Sequence, residues 1–504
     1  MNKLKHILVL LLSSCLLLMA CMKDEGNYNY QNSSSYFVDT TSVPRTIVIK
    51  QNDVVTITPA NTTAANGLNL SYEWKLVQAS FAADPATGTY FEKKIGTEKN
   101  LTYKVTETPA DYILILYVTD KGHGNITQMI KVPFNVSSYA SQGWMVLHGG
   151  AAGSDISIVV NSKMNTLLPA STDYVQANVF SETNGKKIEG EGAALNYVGQ
   201  HWVDVYTKTN MGGYRASGND LRILNTYSDM FISPMQASDI QFQGYGLWSY
   251  NQLLVNKGDL YFIPQPTPNT YNKFGVKCFG EDYVASPYIA TIMLGSYYGV
   301  IYDTKNKRFL YIDFQRTVKP FKAPGATAAF NMTNVGKEMV YAEHGFDSRW
   351  FCVMQNDAAP SSRELFVCKF NVADDGNRAV ARYNISAATE LANAKYFAFG
   401  NRGNIMYYAT DTKIYQNDYA GSLASTERLN LATNYPGYVI TSMKVFKVTN
   451  HANDGKILYV ALYNPSNQQG VVLQIDIDEV SGVFKTTKAY TGFGQVYGMN
   501  YKAK

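Results

Sequence analysis

The chain has 504 residues, 44 Lys and Arg against 40 Asp and Glu, and a formal net charge of +4. That length exceeds one ordinary domain, and so even a charge balance excludes nucleic acid as a partner, which requires a basic face. The 38 Tyr, 23 Phe and 38 Gly favour strands and tight turns over helices, so the expected class is all-β. The chain opens MNKLKHILVLLLSSCLLLMACMKDEGNYNY, with Lys3 and Lys5 ahead of an apolar run over residues 7–19. The run is short and broken by Ser13, Ser14 and Cys15, which suits a cleaved secretory leader better than a membrane span. Leu18-Met19-Ala20-Cys21 closes it as a lipobox. Residues 1–20 are therefore expected to be a lipoprotein signal peptide and Cys21 the lipid attachment site. Leu12-Ser13-Ser14-Cys15 is a weaker match, because the apolar run before it is too short. Each buried acyl methylene contributes roughly 0.8 kcal/mol to anchoring.

Residues 21–43 are polar and rich in Ser, Asn and Tyr, the composition of a flexible tether. Lys23, Asp24 and Glu25 stand just after the cysteine and resemble the acidic signal that sends Bacteroidetes lipoproteins to the outer face of the outer membrane. Asp24 to Tyr30, DEGNYNY, resembles the opening of the PKD-like lipoproteins of that phylum, found beside SusC/SusD-type nutrient importers. The resemblance implies a lipid-anchored protein facing the cell exterior and a SusC/SusD-like transporter complex as partner.

From 44 to 138 short runs such as LSYEWKLV, DYILILYVTD and QMIKVPFNV alternate apolar and polar residues between turn signals. Tyr112, Leu114, Leu116 and Val118 would share one strand face, and Trp74 would pack in a core. This pattern suits an immunoglobulin-like or PKD-like β-sandwich, a spacer between the membrane and the larger C-terminal part of the chain. From 139 to 504 hairpin signals recur near Ala152, Met211, Lys257, Lys305, Pro360, Asp411 and Asn453, a spacing of roughly fifty residues. Seven such units predict a seven-bladed β-propeller, eight-bladed if one weak unit escapes the count. The last unit shows four strands, SMKVFKV, ILYVALY, VVLQIDI and VFKTTKAY. Residues 493–501 are left over to close against the first unit.

No catalytic motif stands out: there is no HExxH, GxSxG, phosphate loop or dinucleotide fingerprint, and no metal or cofactor is expected. Asp374-Asp375-Gly376-Asn377 and Asn453-Asp454-Gly455 read as turns rather than calcium loops. Glu343-His344 with Asp347 is the most enzyme-like cluster, although an ordinary loop explains it better. Asp204, Asp303 and Glu281 stand singly. Aromatic clusters flanked by glycine offer stacking platforms for sugar or peptide, namely Tyr245, Trp248 and Tyr250, then Tyr297 and Tyr298. Trp202 and Tyr214 flank a further hairpin. Cys352 and Cys368 lie eight residues either side of Pro360, so a regular hairpin about Pro360 would oppose them and permit a disulfide. The resulting expectation is a non-enzymatic surface lipoprotein that serves a SusC/SusD-like importer by binding glycan or peptide, or the transporter itself. The alternatives are a surface hydrolase acting through the propeller channel and a purely structural protein-binding subunit.

Overall fold

The computed structural model describes residues 37–80, 90–199, 202–248, 251–263, 272–291, 297–372, 378–421 and 424–503. The chain divides between Ser137 and Ser138 into two compact units, and strands dominate both. Among the described residues no helix is long and apolar enough to cross a membrane.

In the first unit Ile47–Lys50, Ile126–Ser137, Ala110–Asp120, Leu70–Gln78 and Glu92–Gly96 form a five-stranded sheet in that spatial order. Its first pair is parallel and the others are antiparallel. Val54–Ile57 and Leu101–Lys104 form a second, two-stranded sheet. Strand alternation decides the buried face. Trp74, Leu76, Tyr112, Leu114, Leu116, Val118 and Phe134 turn inward and meet Val55, Ile57 and Leu101 of the small sheet. The Trp74 indole N–H donates to the Glu98 carbonyl at 3.0 Å, so the ring is buried with its polar edge satisfied. Phe37 and Val38, which composition assigns to the tether, lie in this core. Gln128 Oε1 accepts both their N–H groups, at 2.7 and 2.8 Å.

The second unit holds seven sheets among the described residues, each built on an antiparallel meander. The first sheet contains Gly143–Gly150, Gly153–Asn161 and Asp173–Gln176, with the C-terminal strand Gln495–Lys502 added beside Gly143–Gly150. The next are Gly192–Val198 to Ile223–Thr226, Phe242–Trp248 to Asp259–Ile263, and Ala285–Thr291 to Thr317–Pro320. Phe279–Gly280 runs parallel to the last of these strands. Glu338–His344 to Ala379–Asn384, Tyr396–Phe399 to Ser425–Asn430 and Val439–Val445 to Phe484–Phe493 complete the set. The turns expected near Ala152, Met211, Lys257, Lys305 and Asp411 each join the second and third strands of a sheet. The one near Asn453 joins the first and second strands instead, and the four strands read from the last unit are all present.

Each pair of consecutive sheets shares a core of its own. Met145 and Leu147 of the first sheet pack with Val203 and Val205 of the second, and Tyr206 packs with Leu254 of the third. Leu253 meets Ile301, Tyr302 meets Trp350, Phe351 meets Phe399, and Tyr407 meets Leu458. The last sheet packs on the first through Tyr459 and Trp144, whose rings stack at 4.1 Å. A sheet covered on both faces must be apolar on both, and every residue of Gly153–Asn161 and Trp202–Thr207 is buried. Fully burying one such Val or Leu contributes about 1.5–3 kcal/mol.

The first strand of each sheet touches the first strand of the next, and Gln495–Lys502 touches both Gly192–Val198 and Val439–Val445. Six of these first strands carry a β-bulge, which leaves residues such as Ala193, Gln243, Val340, Thr441 and Tyr497 without a partner across the ladder. Bulges bend a strand and re-aim its side chains.

The expected pairing of Cys352 with Cys368 is corrected by register. The tight turn is Asp357-Ala358, not Pro360, and the ladder shifts between Gln355 and Asn356. Cys352 therefore opposes Phe366, and Cys368 opposes Trp350. The two cysteines are diagonal neighbours, a separation of about 7–8 Å, beyond the range of about 4.4–6.8 Å that a disulfide spans. Both thiols are free and buried, as is that of Cys278. Burial pushes the Cys352 thiol up, and its hydrogen-bonding neighbour is Cys368.

Candidate functional site

The first strands of five sheets, or the loops that leave them, supply Leu247, Thr291, His344, Asn401 and Lys447 to one cavity of about 810 Å³. Its wall is completed by Gly345, Phe346, Asp347 and Ser348, by Phe370 and Asn371, and by Arg402, Thr449 and Asp454. Polar side chains predominate, with two phenyl rings among them.

Lys447 lies at the inner wall. Its Nζ pairs with Glu343 Oε1 at 3.1 Å and donates to the His344 carbonyl. Glu343 Oε1 also accepts the N–H of Phe399, which ties its strand to the next sheet. Burial pulls the pKa of Lys447 down, against the opposing pull of Glu343. His344 Nε2–H donates to the Thr291 carbonyl at 3.1 Å, and burial lowers its pKa to about 4, so the imidazole is neutral. Asp347 and Ser348 both sit at positive φ, 58° and 54°. Two successive left-handed non-glycine residues are costly, and such strain gathers at functional loops. Lys369 and Arg349 each lie 3.1 Å from Asp347 Oδ2, and the Lys369 hydrogen bond leads in holding that carboxyl below its ordinary range. Asp454 accepts from Asn401 Nδ2 at 2.8 and 2.9 Å, from Arg402 Nη2 at 3.2 Å and from the Val448 N–H at 2.9 Å. Asn453-Asp454-Gly455 is thus a turn whose carboxylate organises the cavity rim.

Of the cluster Glu343, His344 and Asp347, the last two line this cavity and Glu343 meets it only through Lys447, and both carboxylates are engaged by cations. Glycoside hydrolysis needs one carboxyl held protonated by a raised pKa, and Asp347 is shifted the other way.

The aromatic platforms read from the sequence are placed differently. Tyr245 is half-buried, donates to the Leu195 carbonyl at 2.9 Å and lies 5.8 Å from the Tyr206 ring, so it joins two sheets. Its flanking glycines serve close packing: a Cβ on Gly244 would lie 2.0 Å from the Pro287 carbonyl oxygen, and one on Gly246 would lie 2.7 Å from Thr291. Tyr297 is buried, with its hydroxyl 2.6 Å from the Phe370 carbonyl and 3.0 Å from Arg378 Nε. Neither tyrosine is available for stacking on a ligand. Tyr298 is half-buried between Phe262 and the exposed Phe314, at 4.5 and 5.0 Å. Trp202 and Tyr214 are buried, and the Arg215 guanidinium lies 4.3 Å from the Trp202 ring. Trp248 ends its strand, and its side chain lies outside the described residues. Tyr250, Cys21, Lys23, Asp24, Glu25 and the turn from Asp374 to Asn377 also lie outside them. The remaining single acids are paired: Asp204 with Arg215, and both Asp303 and Glu281 with Arg308.

Residues 21–192 match the PKD-like family. The PKD-like match spans the first unit and continues past Ser137 to the start of the second sheet of the second unit. No curated protein matches the chain. A DUF4784 family protein from Bacteroides caccae is similar at 8% identity, with 90% of this chain and 97% of that one covered and a TM-score of 0.27. Kluyveromyces lactis Hsv2p is similar at 8% identity, 78% and 95% coverage and a TM-score of 0.28. The extracellular domain of a protein assigned as a one-component system in B. thetaiotaomicron is similar at 9% identity, 80% and 57% coverage and a TM-score of 0.33.

Proposed function

We propose that the protein is a non-enzymatic, ligand-binding lipoprotein of the outer cell surface, anchored through Cys21 and exported by Lys23, Asp24 and Glu25. Its second unit is read as a seven-bladed propeller. The support is the shared core between every consecutive pair of sheets, the last and first included, and the C-terminal strand completing the first sheet. Its accessory role beside a SusC/SusD-like importer rests on the resemblance of DEGNYNY and on the PKD-like match.

The single observation that carries ligand binding is the cavity at the first-strand ends. It offers amides and hydroxyls from Asn371, Asn401, Thr291, Thr449 and Ser348 beside Phe346 and Phe370, the mix that orients a hydroxylated ligand. Arrays of glycans and peptides probed with the mature chain test this. Binding that Asn401→Ala abolishes is the expected result. Binding indifferent to Asn401→Ala, or no binding, rejects the cavity as the site. Turnover of any bound ligand in product analysis rejects the non-enzymatic reading, and recovery without transporter subunits from solubilised outer membrane rejects the accessory role.

A further inference from the structure

The charges at the cavity do not balance. Arg402, Lys447, Lys444, Arg349 and Lys369 lie in or directly behind its wall, against Asp347, Asp454 and Glu343. His344 is neutral and adds nothing. At the wall the lysines Lys447 and Lys444 both feel Glu343, and Lys447 also feels Asp454. Lys447 Nζ sits 3.1 Å from Glu343. Lys444 Nζ has the Met499 carbonyl at 3.2 Å as its hydrogen-bond partner, and its charge feels Glu343 only at longer range. Burial disfavours the charged form of both. Arg349 adds a buried Nε–H with no hydrogen-bond acceptor among the described residues. Lys447 is largely withdrawn from water and attracts an opposite charge more strongly than a cation at an open surface, while Arg402 stands exposed where an arriving anion meets it first.

The shape of the wall selects among anions. It consists of strand ends and the loops leaving them rather than a strand edge, so an extended peptide has no ladder to join. Side-chain amides and hydroxyls surround the cations, suited to a ring that carries several hydroxyls beside its acid.

We infer that the cavity takes a uronic-acid-containing saccharide, its carboxylate directed at Arg402 and Lys447 and its hydroxyls at Asn371, Asn401 and Thr449. This rests on the cavity being the ligand site. The test is calorimetric titration of the mature chain with galacturonate, glucuronate and mannuronate oligosaccharides, each beside its carboxyl-reduced counterpart of equal length, with an acidic peptide as a further arm. At least one acidic oligosaccharide is expected to bind tenfold or more tighter than its reduced counterpart. Arg402→Gln, at an exposed side chain whose loss leaves the core intact, should erase most of that difference, and Lys447→Met should do the same if it folds. Equal binding of acidic and reduced forms, both lost in Asn401→Ala, overturns the acid preference while leaving the cavity as the site. Preference for the acidic peptide overturns the saccharide. Absence of binding by every probe overturns this inference, and the glycan and peptide arrays then decide the reading beneath it.

Discussion

At the scale of single residues, the charges that matter most for the fold are those that leave water entirely. The Arg215 and Asp204 side chains are 3% and 0% exposed and meet in a two-point contact of 2.7 and 2.9 Å. Gln252 donates to Asp204 Oδ2 at 2.7 Å, which ties the second sheet to the third. Removing one member strands the other without water or counter-charge. Asp204→Ala should therefore destabilise by about 3–5 kcal/mol in denaturant unfolding, whereas replacing both by Leu and Met should restore much of the loss. Histidine acts in the opposite sense, because the fold keeps it uncharged. His148 accepts the Gly494 N–H on Nδ1 at 3.1 Å, so Nε2 carries the proton toward Ser157 Oγ at 2.8 Å. Burial lowers its pKa from 6.5 to about 4. A histidine depressed in the folded state contributes stability that is complete above its unfolded value and fades as pH falls toward its folded one. The melting temperature should hold down to pH 6.5 and decline toward pH 4. His344, also lowered to about 4 by burial, adds to the same window. His148→Gln, which keeps a donor and an acceptor, should flatten part of that decline; an unchanged slope would exclude His148 as a source.

At the scale of elements, glycine spacing explains why the first strands pack so closely. Gly244 and Gly246 alternate with Tyr245, so both glycines face the neighbouring strand Ala285–Thr291 while the tyrosine reaches back to Leu195. A methyl at 244 would stand 2.0 Å from a backbone oxygen, which no rotamer change can relieve. Gly244→Ala should cost about 3 kcal/mol by overpacking, read from chemical denaturation. Gly275→Ala, where the nearest atom would be Arg316 Nη1 at 3.7 Å, serves as the control. The same strand shows where sequence reading falls short. Turns such as Lys257-Gly258, with φ of 54° and 79°, announce themselves through local chemistry, and regular second and third strands keep their alternation on either side. The first strands of the third and fifth sheets escape notice because their bulges break the phase of two. The same kind of shift, near Asn356, displaces the cysteine register. Tyr245 and Tyr297 resemble ligand platforms in sequence because an aromatic beside glycine looks alike whether it stacks on a ligand or lets two strands approach.

At the scale of the whole molecule, the sequence conceals how the cavity is assembled. The cavity gathers Leu247, Thr291, His344, Asn401 and Lys447 from separate sheets, and no spacing rule links them. The long-range pairing that sequence does expose is that of the leftover last segment, because four strands already fill the final unit. Gln495–Lys502 pairs antiparallel with Gly143–Gly150, so the two ends of the second unit are sewn into one sheet. Val496, Met499 and Tyr501 enter the core between the last and first sheets, and Met499 supplies the carbonyl that Lys444 uses. Loss of this strand uncovers the edge of Gly143–Gly150 and the apolar contacts of Trp144 and Phe446 at once, a deficit larger than the marginal stability of an ordinary domain. Truncation after Tyr490 should therefore unfold the second unit cooperatively. The first unit, whose core among the described residues runs from Phe37 to Val136, should keep its protection from hydrogen exchange. A second unit that retains native exchange protection without the strand would show that the sheets cohere through their neighbours alone, and that the terminal pairing is dispensable.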